Sequence, residues 1–271
     1  MTLHTTSSDG VELAIHDLGG DGPPLVFVHA TGFHGRCYTQ IARRLHPLRR
    51  CWAPDLRAHG DSTIPANNRF AWAGMADDLI ATLDALDIDE SVDFVGHSMG
   101  GATIAATELR RPGTIRTAWL FEPILFPPMG DNPSTMAETA RNRRATFADH
   151  AAVIERYGSR PPFSIVDSDV LADYVTHGFE HTDDGVTLKC TPESEARTFE
   201  SVDHDVFARL HEITAPITVI ASTDGAPPAL VAPMVADAIP TATLTTWDAK
   251  THFGPFTDPG RAADEIRAAI T

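Results

Sequence analysis

A serine flanked by two glycines is the residue of this chain with the clearest chemical potential. Ser98 lies between Gly96 and Gly100, after an apolar run at 92–96 and before a Gly- and Ala-rich helical pattern at 99–109. A serine in a sharp strand-to-helix turn takes a strained backbone, and side chains two residues away on either side would collide. The turn projects the hydroxyl outward, and the helix N-terminus favours negative charge developing there. We therefore predict that Ser98 is a nucleophile.

The elements that must position Ser98 follow the pattern of an α/β fold with a parallel sheet. Apolar, β-branched runs predict strands, and longer stretches with helical periodicity predict helices between them. The predicted strands are 11–17, 25–29, 50–54, 92–96, 117–125, 217–221 and 241–247, and the predicted helices are 70–86, 99–109, 229–239 and 261–270. These elements define a core domain of residues 1–126 and 206–271.

A polar segment interrupts this pattern between two predicted strands. Residues 127–205 are charged and rich in proline and glycine, with helical segments near 137–157 and 168–177. A polar insertion between buried strands must run over the surface, commonly above the strand ends where catalytic loops gather. We predict that residues 127–205, called the cap segment below, form a cap or lid.

Three motifs together resemble the α/β-hydrolase superfamily, and the resemblance covers nearly the whole chain. They are Gly96-His97-Ser98-Met99-Gly100, His29-Ala30-Thr31-Gly32 and Asp55-Leu56-Arg57-Ala58-His59-Gly60-Asp61-Ser62. Ala30 and Ala58 depart from the family pattern, which usually has glycine at both positions. The resemblance implies a mostly parallel central sheet flanked by helices, with an inserted, mainly helical cap, as in capped serine esterase-like hydrolases.

The resemblance also implies the order serine, acid, histidine along the chain. The chain has 13 histidines, and Thr251-His252-Phe253-Gly254 resembles the family motif that follows the last strand. Histidine suits a general base because its pKa lies near the working pH. We expect His252 to remove the proton from Ser98, and His97 to pack beside the turn.

Two carboxylates are candidates for the acid that orients His252. Asp224 follows the predicted strand 217–221 and matches the family position, whereas Glu122 ends the strand after the serine turn, where haloalkane dehalogenases place their acid. Either carboxylate could hold the imidazole tautomer and stabilise the imidazolium ion. The sequence favours Asp224 and leaves Glu122 as the alternative.

The oxyanion hole is expected to consist of two backbone N–H groups, those of Met99 and Thr31. Losing one such donor typically raises the barrier by roughly 3 kcal/mol. Because backbone atoms act here, the side chains are not diagnostic.

No cofactor is implied. His177-Gly178-Phe179-Glu180-His181 matches an inverted zinc-protease pattern, but a glycine and the lack of a third ligand argue against a metal site.

Composition restricts the partners. The 37 acidic residues outnumber the 21 basic ones, for a formal net charge of −16, and this negative field repels nucleic acid and anionic membranes. No apolar stretch is long enough to span a membrane, and the three cysteines lack any paired-ligand spacing. We expect a cytoplasmic protein with reduced thiols that acts on a small-molecule substrate; the oligomeric state stays open.

These residues predict hydrolysis of a small-molecule carboxylic ester, lactone or thioester through an acyl-enzyme on Ser98. Haloalkane dehalogenases and epoxide hydrolases of this fold carry aspartate at the nucleophile position. Because position 98 is serine, both activities are disfavoured. Two alternatives remain open: a carbon–carbon bond hydrolase or cofactor-free oxygenase of the same fold, and a non-catalytic receptor for a small ligand.

Overall fold

The computed structural model describes residues 1–66, 69–127, 135–201, 205–248 and 251–271. Its strands are β1 (Thr2–Thr6), β2 (Glu12–Gly19), β3 (Pro24–Val28), β4 (Arg50–Pro54), β5 (Val92–His97), β6 (Ile115–Phe121), β7 (Thr146–Phe147), β8 (Phe179–Thr182), β9 (Gly185–Leu188), β10 (Ile217–Ser222) and β11 (Ala242–Trp247). Its helices are α1 (Thr39–Leu45), α2 (Trp72–Ala85), α3 (Met99–Arg110), α4 (Thr135–Arg141), α5 (His150–Gly158), α6 (Ser168–Gly178), α7 (Pro192–Glu200), α8 (Asp205–Ala208), α9 (Pro227–Ala238), α10 (Gly254–Thr257) and α11 (Pro259–Ala269).

Eight of these strands form one sheet, in the order β1-β2-β4-β3-β5-β6-β10-β11. Strand β2 pairs antiparallel with both of its neighbours, and the other neighbouring pairs are parallel. The predicted α/β-hydrolase fold with its mostly parallel sheet is therefore confirmed. Because β5, β6, β10 and β11 are parallel, the loops at their carboxyl ends gather at one edge of the sheet.

Helices cover both faces of this sheet, as the alternation of side chains along β3 shows. Leu25 and Phe27 belong to a core cluster with α1 and α11, whereas Val26 and Val28 belong to a cluster with α2, α3 and α9. Successive side chains of a strand point to opposite faces, so a strand between two helical layers is apolar throughout. This explains why the buried runs in the sequence predicted the central strands well.

The structure departs from the sequence predictions at the chain start and in the cap segment. Strand β1 and helix α1 were not predicted, and the single helical stretch expected over 137–157 is wrong. Helix α4 ends at Arg141, and α5 begins only at His150, where the Asp149 carboxylate accepts the N–H of Ala152 at 2.8 Å as an N-cap.

Between α4 and α5 lies β7, which joins a small antiparallel sheet in the order β7-β9-β8. The cap segment thus contains a three-stranded sheet besides its helices, which the expectation of a mainly helical cap did not include. Its division from the core at 126/127 and 205/206 stays a prediction, and residues 128–134 and 202–204 lie outside the described residues. No helix in the described ranges has the length and apolar character needed to cross a bilayer.

Candidate active site

Ser98 occupies the tight turn between β5 and α3 that the sequence predicts. Its φ of 55° and ψ of −118° lie outside the regions that L-residues prefer. A Cβ on Gly96 would approach the Cα of Gly101 to 2.8 Å, and one on Gly100 would approach the carbonyl oxygen of Val28 to 2.0 Å. Both glycines are therefore required by close packing, as their spacing around the serine suggested.

His252 pairs with Glu122. The imidazole Nδ1 lies 2.5 Å from Glu122 Oε2, and the second carboxylate oxygen accepts the backbone N–H of Ser222 at 2.8 Å. Glu122 directly follows β6, is fully buried, and has a φ of 45°, which is unusual for a residue other than glycine. The pair joins the loop after β11 to the end of β6.

The environment of Glu122 keeps its carboxyl group ionised. Burial alone would raise its pKa, but the hydrogen bonds from His252 and Ser222 hold that pKa below its usual range. The His252 backbone is fixed as well, because its carbonyl accepts a hydrogen bond from His97 Nε2 at 2.9 Å. Burial lowers the pKa of His97 well below its ordinary value, so that ring is neutral. His97 therefore packs beside the turn and supports the histidine loop.

Of the two candidates for the acid, the structure brings Glu122 into contact with His252, and the assignment of the acid stays a prediction. Asp224 is exposed in the loop between β10 and α9, and its carboxylate accepts the backbone N–H of Ala226 at 2.8 Å. An aspartate that bonds a backbone group two residues ahead closes a local turn. The residue in contact with His252 is the alternative, Glu122.

Met99 and Thr31, the expected oxyanion residues, are adjacent in space. Met99 is the first residue of α3, and the Thr31 hydroxyl donates to its sulfur at 3.3 Å. Within the described parts of the chain, the backbone N–H groups of both residues have no hydrogen-bond partner. This leaves them free to donate to a ligand. The Thr31 side chain, in contrast, is engaged with Met99.

A buried polar network that the sequence analysis did not assign fixes the loop that carries Thr31. Asp55, after β4, accepts hydrogen bonds from His16 Nε2 at 2.8 Å and from the N–H groups of Gly35 and Asp61, both at 2.7 Å. Burial alone would raise the pKa of Asp55, but His16 holds it far below its usual range. In the sequence, the motif that begins at Asp55 was recognised by its resemblance to the family pattern. An aspartate directly after a buried strand was the signal that could have revealed this network.

Aromatic side chains from the cap segment meet this same loop. The ring of Phe33 lies 5.2 Å from Tyr174, 5.9 Å from Phe163 and 5.2 Å from Phe253, measured between centroids. Because Phe253 directly follows His252, this cluster places the cap helices beside the histidine loop.

The two histidines of the inverted zinc-protease pattern lie on different elements: His177 on α6 and His181 on β8.

Comparison with known proteins identifies the family. A model of the alpha/beta hydrolase family matches residues 25–265, and the chain therefore belongs to that family. Among curated proteins it is 34% identical over 113 residues to a 2-hydroxymuconate semialdehyde hydrolase of Pseudomonas sp. (strain CF600), a match that covers 40% of this chain and 38% of the relative. A 2-hydroxy-6-oxo-2,4-heptadienoate hydrolase of Pseudomonas putida F1 is 34% identical over 110 residues, 40% of this chain and 39% of the relative. The chain thus spans about two fifths of the length of these relatives.

Solved structures match over the whole chain at lower identity. An E-2-(acetamidomethylene)succinate hydrolase superposes with a TM-score of 0.80 at 19% identity and covers 100% of this chain and 99% of its own. The esterase RhEst1 from Rhodococcus sp. ECU1013 gives a TM-score of 0.76 at 24% identity, with 99% and 98% covered. At these identities the likeness shows the fold alone.

Proposed function

We propose that this protein hydrolyses a small-molecule carboxylic ester, or a lactone or thioester, through an acyl-enzyme on Ser98. The observation that carries the proposal is the contact between His252 and a buried, ionised Glu122. Ser98 lies in a strained turn, and its backbone N–H donates to the carbonyl of Phe121, the residue before Glu122. A serine hydroxyl is a weak nucleophile unless a base takes its proton, and that base must be oriented by a third group. Glu122 supplies the orientation.

In the proposed reaction, His252 holds a proton on Nδ1, facing Glu122, and uses Nε2 as the base. Nε2 takes the Ser98 proton while the serine oxygen attacks the substrate carbonyl, and the oxyanion binds the N–H groups of Met99 and Thr31. The imidazolium then gives its proton to the leaving alcohol, and the acyl-enzyme forms. Water, activated by the same nitrogen, releases the carboxylic acid and restores Ser98.

A second candidate is hydrolysis of a carbon–carbon bond. It is supported by the two relatives at 34% identity, whose names describe hydrolases of 2-hydroxymuconate semialdehyde and of 2-hydroxy-6-oxo-2,4-heptadienoate. The same serine, histidine and oxyanion groups would act, with a stabilised carbanion as the leaving group instead of an alcohol. The two candidates therefore differ in substrate rather than in catalytic residues.

The experiment that tests the proposal compares the intact protein with its Ser98→Ala variant on p-nitrophenyl esters of graded acyl length. We expect hydrolysis with an optimum in chain length, and a loss of about a thousandfold or more in the variant. Circular dichroism checks that the variant is folded. In parallel, 2-hydroxymuconate semialdehyde is supplied, and its disappearance is followed by absorbance.

Each outcome assigns the function differently. Turnover of the esters that requires Ser98 supports the ester hydrolase, whereas turnover of the semialdehyde without ester hydrolysis favours the carbon–carbon candidate. Equal ester hydrolysis by both folded proteins would overturn the role of Ser98. If neither substrate class is turned over, labelling of Ser98 by a fluorophosphonate separates a reactive enzyme with another substrate from a receptor.

A further inference from the structure

His29 connects the loops that follow β3 and β4 in the interior of the protein. It directly follows β3 and is fully buried. Its ring Nδ1 lies 2.9 Å from the carbonyl oxygen of Ala30, and its Nε2 lies 2.9 Å from the backbone nitrogen of Leu56, in the loop after β4. The reaction steps described above do not use this histidine.

These two contacts fix the protonation state of the ring. A carbonyl oxygen can only accept a hydrogen bond, so Nδ1 carries a proton and donates to Ala30. A backbone N–H can only donate, so Nε2 keeps its lone pair and accepts from Leu56. The ring is therefore neutral, and burial, which lowers the pKa of His29 to about 3, keeps it neutral at physiological pH.

The carbonyl that accepts from Nδ1 belongs to the peptide group of an expected oxyanion donor. The C=O of Ala30 and the N–H of Thr31 are parts of one peptide unit. This unit is planar, and in the trans form, which the Ala30–Thr31 bond has, the two groups point in opposite directions. A group that fixes the direction of the Ala30 carbonyl therefore fixes the direction of the Thr31 N–H as well.

Two donors hold the Ala30 carbonyl. The backbone N–H of Phe33 donates to it at 3.1 Å and closes the turn 30–33, and Nδ1 of His29 is the second donor. A carbonyl oxygen has two lone pairs, and both are used here. The peptide cannot rotate without breaking both hydrogen bonds in the protein interior.

We propose that His29 is a positioning residue of the oxyanion hole, which holds the Ala30–Thr31 peptide so that the Thr31 N–H points at the carbonyl oxygen of the substrate. His29 itself touches neither the substrate nor the reacting atoms. The hydrogen bond from Leu56 sets the ring tautomer and so links the loop after β4 to the oxyanion donor. The inference rests on the proposed function, because it assigns the group that orients one of its two oxyanion donors.

Two amide variants separate the roles of the two ring nitrogens. The amide nitrogen of asparagine takes the place of Nδ1, so His29→Asn keeps the donor to Ala30 and loses the acceptor for Leu56. The glutamine amide reaches the place of Nε2, so His29→Gln keeps the acceptor and loses the donor. His59→Gln is the matched control, because His59 is equally buried and its Nδ1 donates at 2.9 Å to Arg57, outside the oxyanion peptide.

The values of kcat and KM for the preferred ester, and the inhibition constant of a trifluoromethyl ketone analogue, are measured for the intact protein and the three variants. The ketone forms a hemiketal with the serine, and its oxyanion resembles that of the transition state. Its affinity therefore reports on the oxyanion hole. Denaturant unfolding of each variant measures the loss of stability separately.

We expect His29→Gln to lower kcat by about tenfold or more, with KM nearly unchanged, because a misdirected donor forfeits part of the effect of an oxyanion N–H. The ketone should bind more weakly by a similar factor. His29→Asn and His59→Gln should keep kcat within about threefold, even where they unfold more easily. Activity kept in His29→Gln and lost in His29→Asn, or equal losses in His29→Gln and His59→Gln, would overturn the proposal.

Nitrogen NMR of the intact protein, labelled in its histidine rings, is a test that needs no variant. We expect the His29 ring to carry its proton on Nδ1 and to have a bare Nε2 throughout pH 5 to 8, since the hydrogen bonds of the ring set the tautomer. A proton on Nε2 would mean that the ring does not donate to Ala30, which contradicts the proposal even if His29→Gln fails to fold.

Failure of the proposed function gives a different result. If the intact protein hydrolyses no ester, crystal structures of the two His29 variants still show the direction of the Ala30–Thr31 peptide. A peptide that rotates in His29→Gln and keeps its direction in His29→Asn supports the positioning role without any turnover. A peptide with the same direction in both variants refutes that role.

Discussion

At the scale of single residues, backbone strain falls on residues of the candidate active site. Among the described residues other than glycine, four have a positive φ, and two of these are Ser98 and Glu122. Such conformations cost of order 1–3 kcal/mol each and persist only where the surrounding structure determines them. Here the strain falls on the proposed nucleophile and on the acid that contacts His252.

The two carboxylates considered for the acid lead to opposite predictions for a matched pair of variants. We expect Glu122→Gln to lower kcat by about a thousandfold or more, because an amide cannot hold the imidazole tautomer or stabilise the imidazolium ion. Asp224→Asn should change kcat less than about threefold, since this exposed side chain closes its own turn. Steady-state hydrolysis of the preferred ester measures both. A large loss in Asp224→Asn with an active Glu122→Gln would restore the original assignment.

At the scale of elements, the loop after β4 contains one of the two departures from the family pattern. Ala58 is buried and has a φ of 63°, whereas Ala30, the other departure, is not among the residues with positive φ. A left-handed backbone costs an alanine roughly 1–2 kcal/mol, and glycine avoids this cost. At a position without positive φ, replacing alanine by glycine relieves no strain and only adds conformational freedom to the unfolded chain.

The two alanines should therefore respond differently to the same substitution. We expect Ala58→Gly to raise the free energy of unfolding by up to about 1 kcal/mol, and Ala30→Gly to lower it by roughly 0.5–1 kcal/mol. Denaturant unfolding at fixed pH measures both values. Destabilisation of similar size in the two variants would show that the Ala58 backbone is not strained.

At the scale of the whole molecule, buried histidines couple stability to pH. Burial lowers the pKa of His34 to about 4 and that of His29 to about 3, from an ordinary value of 6.5. Between pH 6.5 and these values, the unfolded chain binds protons that the folded protein excludes. The free energy of unfolding should therefore fall as the pH drops below 6.5, by about 1.4 kcal/mol per pH unit for each such histidine.

Chemical denaturation at a series of pH values between 7.5 and 5.0 measures this slope. His34→Asn should flatten the slope whatever it does to overall stability, because it removes one group that titrates only in the unfolded chain. His4, exposed on β1, is the control, and we expect His4→Gln to leave the slope as it is. A slope that His34→Asn does not change would show that His34 is not the group responsible.

The sequence by itself determined the features that depend on neighbouring residues. The strands buried on both faces follow from apolar runs, and the turn at Ser98 follows from glycines whose missing side chains leave room for Gly101 and Val28. The position of His252 followed from family resemblance. These signals lie within short stretches of chain, so local chemistry was sufficient to find them.

Only the tertiary structure decided which carboxylate meets His252. Glu122 and Asp224 both follow strands that end at the same edge of the sheet, and Glu122 is 130 residues from its partner. Side-chain direction decides between them, and it depends on the positive φ of Glu122 and on the turn that engages Asp224. The pairing of β7 with β9 and the hydrogen bond from Leu56 to His29 are non-local in the same way. Contacts between distant segments arise from packing of the whole chain, and no local pattern specifies them.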